Sequence, residues 1–107
     1  MLRGAETSRA YVADASGGLE LRAMLHLLPG QVTGVSPQVG DIHSVENALI
    51  DRTSISIHAY GANIGAIARH VFVLETGETK LFVSGYANTT LPNLWDRSAE
   101  TRACLGI

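Results

Sequence analysis

The chain has 107 residues, of which 46% are hydrophobic and 17% charged, with a formal net charge of −2. That length allows one domain at most, and that apolar content excludes an intrinsically disordered chain. Seven Arg and a single Lys, Lys80, are scattered along the sequence, which speaks against a nucleic-acid surface and a polybasic membrane patch. No apolar stretch reaches the roughly 18 residues of a membrane span. No basic segment leads into an apolar one as in a signal peptide. Cys104 is the only cysteine, so an internal disulfide is excluded and a reduced, cytoplasmic compartment is the expectation.

Met1-Leu2-Arg3-Gly4-Ala5-Glu6 reads as the end of a strand rather than as a free tail. Residues 5–13 are polar until Tyr11 and Val12, and Asp14-Ala15-Ser16-Gly17-Gly18 supplies a turn. From Leu19 to Leu28, Leu19, Leu21, Ala23 and Leu25 alternate with Glu20, Arg22, Met24 and His26. That period of two suits a strand, although the residue types also favour a helix; Pro29-Gly30 ends either one. Val32 to Val35 is a short strand candidate, closed by Ser36-Pro37. Asp41 to Leu49 is another, bending at Glu46-Asn47.

Ser54 to Tyr60 gives the clearest strand pattern, with Ser54, Ser56, His58 and Tyr60 on one face and Ile55, Ile57 and Ala59 on the other. Ile67 to Leu74 and Leu81 to Tyr86 flank a hairpin-type turn at Thr76-Gly77-Glu78-Thr79. Asn93 or Asp96 is placed to cap a short C-terminal helix running to about Ala103. Short strands at this spacing predict an all-β sandwich or barrel, and no linker or repeat divides residues 1–107 into more than one domain.

Four His are available: His26, His43, His58 and His70. Paired cysteines, zinc-type His motifs and Gly-rich phosphate loops are absent from the sequence. Gly40-Asp41-Ile42-His43-Ser44-Val45-Glu46-Asn47 has the skeleton Gly-x-x-His-x-x-x-Asn, preceded by Pro37. It resembles the second conserved motif of the cupins, small double-stranded β-helix barrels in which this His is a metal ligand. The Pro-to-Gly spacing is one residue longer than in that pattern. The alternative is a His on the polar face of an ordinary strand.

Ser54-Ile55-Ser56-Ile57-His58-Ala59-Tyr60 follows at short range, then Arg69-His70-Val71-Phe72 and Thr76-Gly77. Together these pieces resemble the thiol dioxygenases, the branch of cupins that includes cysteine dioxygenase and 3-mercaptopropionate dioxygenase. The resemblance covers roughly residues 1–86. It implies a jelly-roll-like cupin barrel with a short C-terminal helix, and an O2-dependent oxidation of a small thiol to its sulfinic acid at ferrous iron. It makes His43 the third iron ligand and Ser56, His58 and Tyr60 a hydrogen-bonded relay. Arg69 becomes a candidate for the substrate carboxylate, the alternative being a surface Arg. The alternative for Ser56, His58 and Tyr60 is a solvent-facing strand face with Ile55 and Ile57 toward the core. His26 reads as structural, and Cys104 fits no catalytic pattern.

The resemblance also implies a His-x-His pair that this sequence lacks, so two of the three iron ligands are missing from it. Ferrous iron held by three neutral imidazoles keeps positions open for thiolate and O2. By resemblance the absent pair would lie about a dozen residues before Gly4. A barrel incomplete at its N-terminus leaves unpaired strand edges, so a homodimer or strand exchange is expected. The leading expectation is therefore a thiol dioxygenase-like cupin. The competing one is a non-catalytic cupin-like remnant or a dimeric small-molecule-binding module, since fold alone does not fix function.

Overall fold

The polar run after Gly4 becomes the strand on which the first sheet is built. In the computed structural model, which describes every residue except Thr89, Leu91 and Pro92, Glu6–Ala13 forms β1. It is flanked by β2, Leu19–Leu27, and β3, His43–Asn47, in an antiparallel sheet of order β2-β1-β3. The chain divides into two compact units: Met1–His58 with Val73–Glu78, and Ala59–Phe72 with Thr79–Ile107.

In the first unit, the β1–β2 hairpin turns on Asp14. Its Oδ1 accepts hydrogen bonds from Ser16 N and Gly18 N, both at 2.9 Å, and from Ser16 Oγ at 2.6 Å. Gly17 takes φ +88°, a conformation that costs glycine nothing. Val73–Glu78 belongs to this unit: Gly77, at φ +73°, lies so close to Gly17 that a Cβ would collide with the Gly17 carbonyl.

The alternating Leu19–Leu28 segment is a strand, not a helix, because β1 supplies it with an antiparallel partner. Its alternation does not produce one apolar face. The register shifts at Ala10/Tyr11, where Arg22 is the extra residue between Leu21 and Ala23. Residues directly opposite share a face. Leu25 and Leu27 therefore lie with Ser8 and Glu6, whereas Leu21 and Leu19 lie with Tyr11 and Ala13. The bulge splits the leucine stripe between both sides of the sheet. Leu27 is the buried apolar residue of this unit among those described, beside buried Glu6 and Thr7.

Two expected strands of the first unit take other forms. Val32–Val35 is irregular, with Val32 89% exposed, and only Ser36 and Gly40 form a bridge. Glycines at positions 30 and 34 bracket a segment that has no partner strand. Ser54–Tyr60 pairs at Ile55 alone, which exchanges backbone hydrogen bonds with Arg3 at 2.9 and 3.1 Å. The partner ends at Gly4, whose φ of +81° turns the chain away and leaves no ladder to extend. Ser54 fills the space left there: its Oγ accepts the Ala5 N–H at 3.0 Å, and a Cβ on Gly4 would collide with it.

The second unit contains a single 3-10 turn, Ile64–Ala66, the antiparallel pair β4 (Arg69–Phe72) and β5 (Thr79–Phe82), and α1 (Ser98–Leu105). Asp96 starts the helix by accepting the Ser98 N–H at 2.9 Å, and Gly106 at φ +73° ends it. Arg102 donates from Nη2 to Val83 O at 2.8 Å, and Thr101 Oγ1 donates to Ala66 O at 2.8 Å. Val83 is the buried apolar residue of this unit among those described. Tyr86 OH donates to Asn63 Oδ1 and accepts the Gly65 N–H at 3.2 Å.

The chain is thus β-rich with one short C-terminal helix, as expected. Its described strands form a three-stranded and a two-stranded sheet, and these do not close a barrel.

Candidate functional site

His43 opens β3 and pairs with Ala10 of the central strand. Its ring is exposed, and Nδ1 lies 3.2 Å from Asp41 O. A carbonyl only accepts, so Nδ1 is the donor in this contact, which would leave Nε2 of a neutral ring free to ligate. Strand β3 is pinned to β1 on the opposite face by the Arg9–Glu46 ion pair at 2.5 Å. The hydrogen bond that Arg9 donates to Glu46 is the main cause of a raised Arg9 pKa.

Ser56 and His58 are also in the first unit, on irregular chain rather than on a strand. Ser56 Oγ and His58 Nε2 are 3.0 Å apart. That contact places both on one side, as the sequence pattern predicts. The isoleucines between and before them do not form the buried side: Ile57 is 76% exposed, while Ser56 is half-buried.

Tyr60 and Arg69 fall in the second unit. Tyr60 is 55% exposed. Arg69 opens β4 opposite Phe82 of β5, and its guanidinium lies over the Phe82 ring at 5.1 Å from the centroid. Nη2 donates to Ser84 Oγ at 2.9 Å. Nε is buried and has no hydrogen-bond partner among the described residues. An unmet buried donor costs about 1–3 kcal/mol, more when charged.

The described residues contain no group of three His, Cys, Asp or Glu placed to hold a metal ion. His26, expected to be structural, is exposed and hydrogen-bonded through Nδ1 to the buried Thr7 Oγ1 at 3.2 Å. It lines a cleft of about 320 Å³ with Leu25, Leu27, Gln31, Val32 and Thr33, and none of the expected site residues lines that cleft. Cys104 is exposed on α1 and unpaired by any disulfide.

Two supporting residues escaped the sequence reading. Phe82 is legible once the Thr76–Thr79 turn is taken as a hairpin, because the register then sets it against Arg69. Ser84 lies beyond the paired residues, and no residue-type signal marks it. The Asp41 carbonyl that orients His43 is a backbone group and leaves no trace in sequence. No protein-family model matches the chain.

Proposed function

We propose that the chain is a thiol dioxygenase-like cupin acting on a small thiol that carries a carboxylate, cysteine or 3-mercaptopropionate. The observation that carries this reading is the Ser56 Oγ to His58 Nε2 hydrogen bond at 3.0 Å, the first half of the relay the sequence resemblance implies. Such a pair holds a proton at Nε2 or releases it without moving the ring. The resemblance gives Tyr60 the hydroxyl beside the substrate. The resemblance offers Arg69 for the substrate carboxylate, and Ser84 and Phe82 hold its guanidinium in place.

Iron is the cofactor this reading implies, and the Nδ1 contact of His43 would leave Nε2 free for one ligand position. The described residues do not fit a complete ferrous site, because no three ligating side chains converge. The second reading is a non-catalytic cupin-like remnant or small-molecule-binding module, for which no complete ligand set is needed.

Oxygen uptake with ferrous iron plus cysteine or 3-mercaptopropionate, run beside calorimetric binding without metal, separates the two. Thiol-dependent uptake with sulfinate formation supports the dioxygenase. Carboxylate binding without uptake supports the binding module. Neither binding nor uptake overturns both.

A further inference from the structure

The segment that carries Ser56 and His58 has little sheet to lie on. It is bridged to Arg3 at Ile55, and Gly4 then turns the opposing chain away. Ser54 extends that attachment with its side chain. Its Oγ accepts the Ala5 N–H at 3.0 Å and lies 2.9 Å from Ala5 O, so one hydroxyl meets both backbone groups of Ala5. A hydroxyl combines one donor with two acceptor lone pairs, which suits it to that double contact. The fit is close enough that position 4 has no room for a Cβ.

The same hydroxyl lies 2.7 Å from Asn47 Oδ1. Asn47 is the last residue of β3, the strand that His43 opens. Its side chain also closes the loop 48–53: Oδ1 accepts the Leu49 N–H at 2.9 Å, and Nδ2 donates to Arg52 O at 2.6 Å. Ala48 N donates to Ala5 O at 3.0 Å. The end of β3 and the start of the segment bearing the candidate pair are thereby fastened to one residue, Ala5, and to each other. Backbone bonds to Leu2 and Arg3 hold Ile55, and the hydroxyl holds Ser54, directly before the chain runs on to Ser56 and His58.

We propose that Ser54 is a positioning residue for the Ser56–His58 pair: its bonds to Ala5 and Asn47 set the course of the chain on which Ser56 Oγ meets His58 Nε2. The inference rests on the proposed function for what the pair does, but not for what holds it. A chain that neither takes up oxygen nor binds a carboxylate would overturn that reading and leave the positioning of the pair to its own test.

Nitrogen NMR of the His rings in the full chain is that test, and it needs no turnover. Ser54→Ala should move the His58 Nε2 resonance in the direction that Ser56→Ala moves it. His43, whose Nδ1 contact to Asp41 O lies at the other end of β3, should stay in place and report that the sheet is intact. Asn47→Ala should move His58 likewise, and should add nothing further once Ser54 is Ala, because residues acting through one shared contact are not additive. An unmoved His58 in Ser54→Ala, His43 and His58 moving together, or additive shifts from the two substitutions overturns the proposal.

Discussion

Ser56 Oγ and His58 Nε2 meet at 3.0 Å although neither residue lies in a paired strand. The bond is made by local backbone, anchored just upstream by the Ile55–Arg3 bridge.

Ser56→Ala should therefore alter the His58 ring while leaving the fold. The loss is about 0.5–1.5 kcal/mol at most, the usual net worth of one hydrogen bond. Nitrogen NMR of the His58 ring is the check: the Nε2 resonance should move. An unchanged resonance would mean that the pair does not persist in solution.

Arg69→Met should have little effect on stability and a large one on binding. It removes the Ser84 hydrogen bond and the Phe82 contact, together about 1–2.5 kcal/mol, but also relieves a buried donor worth about 1–3 kcal/mol. Urea unfolding should shift by no more than about 1 kcal/mol. A small carboxylate should bind at least about tenfold more weakly, since a charged hydrogen bond is worth about 1.5–3 kcal/mol. Large destabilisation with binding intact would make Arg69 a structural residue.

Gly65→Ala should destabilise the second unit. Gly65 is buried, and a Cβ there would overlap the Tyr86 ring. Overpacking of this kind costs about 1–3 kcal/mol. Tyr86→Phe keeps the ring and loses only the hydroxyl contacts to Asn63 and Gly65, so it should cost less. Thermal unfolding of the two variants checks the order, and a more damaging Tyr86→Phe would contradict it.

Acid should loosen two local structures. Hydrogen bonds from Ser98, its hydroxyl first and then its backbone N–H, hold the Asp96 carboxyl below the ordinary aspartate range. Ser16, and then Gly18, do the same for Asp14. A lowered carboxyl pKa contributes stability that is present above the unfolded value, about 3.9, and is lost as pH falls through the lower folded value. Amide exchange at the start of α1 and in the Asp14 turn should thus be flat from neutral pH to about pH 5, after correction for intrinsic rates, and rise below about pH 4. Asp96→Asn should remove the α1 part of that rise.

The sequence was legible where pattern and local partner agreed. Leu19–Leu27 alternates and has a hairpin partner, the turn expected at Thr76–Thr79 falls within the connection 73–78 between β4 and β5, and Asp96 bonds the first helical residue from just before the N-cap Arg97. It was misleading at Ser54–Tyr60, where alternation is strong but the pairing backbone ends at Gly4. It was silent for Glu6–Ala13, whose central position comes from strands on both sides rather than from an apolar period of its own. At the candidate site, the shared side of Ser56 and His58 followed from their spacing, whereas the role offered for them came from the resemblance. The orphaned Nε of Arg69 did not, because burial depends on the packing of β4 and β5 around it.

Calorimetric titration of the chain with 3-mercaptopropionate, beside a propanethiol control, tests the central claim most directly. The account predicts that the acid binds, that the thiol lacking a carboxylate does not, and that Arg69→Met abolishes the difference. Equal behaviour of the two thiols with the unaltered chain would contradict it.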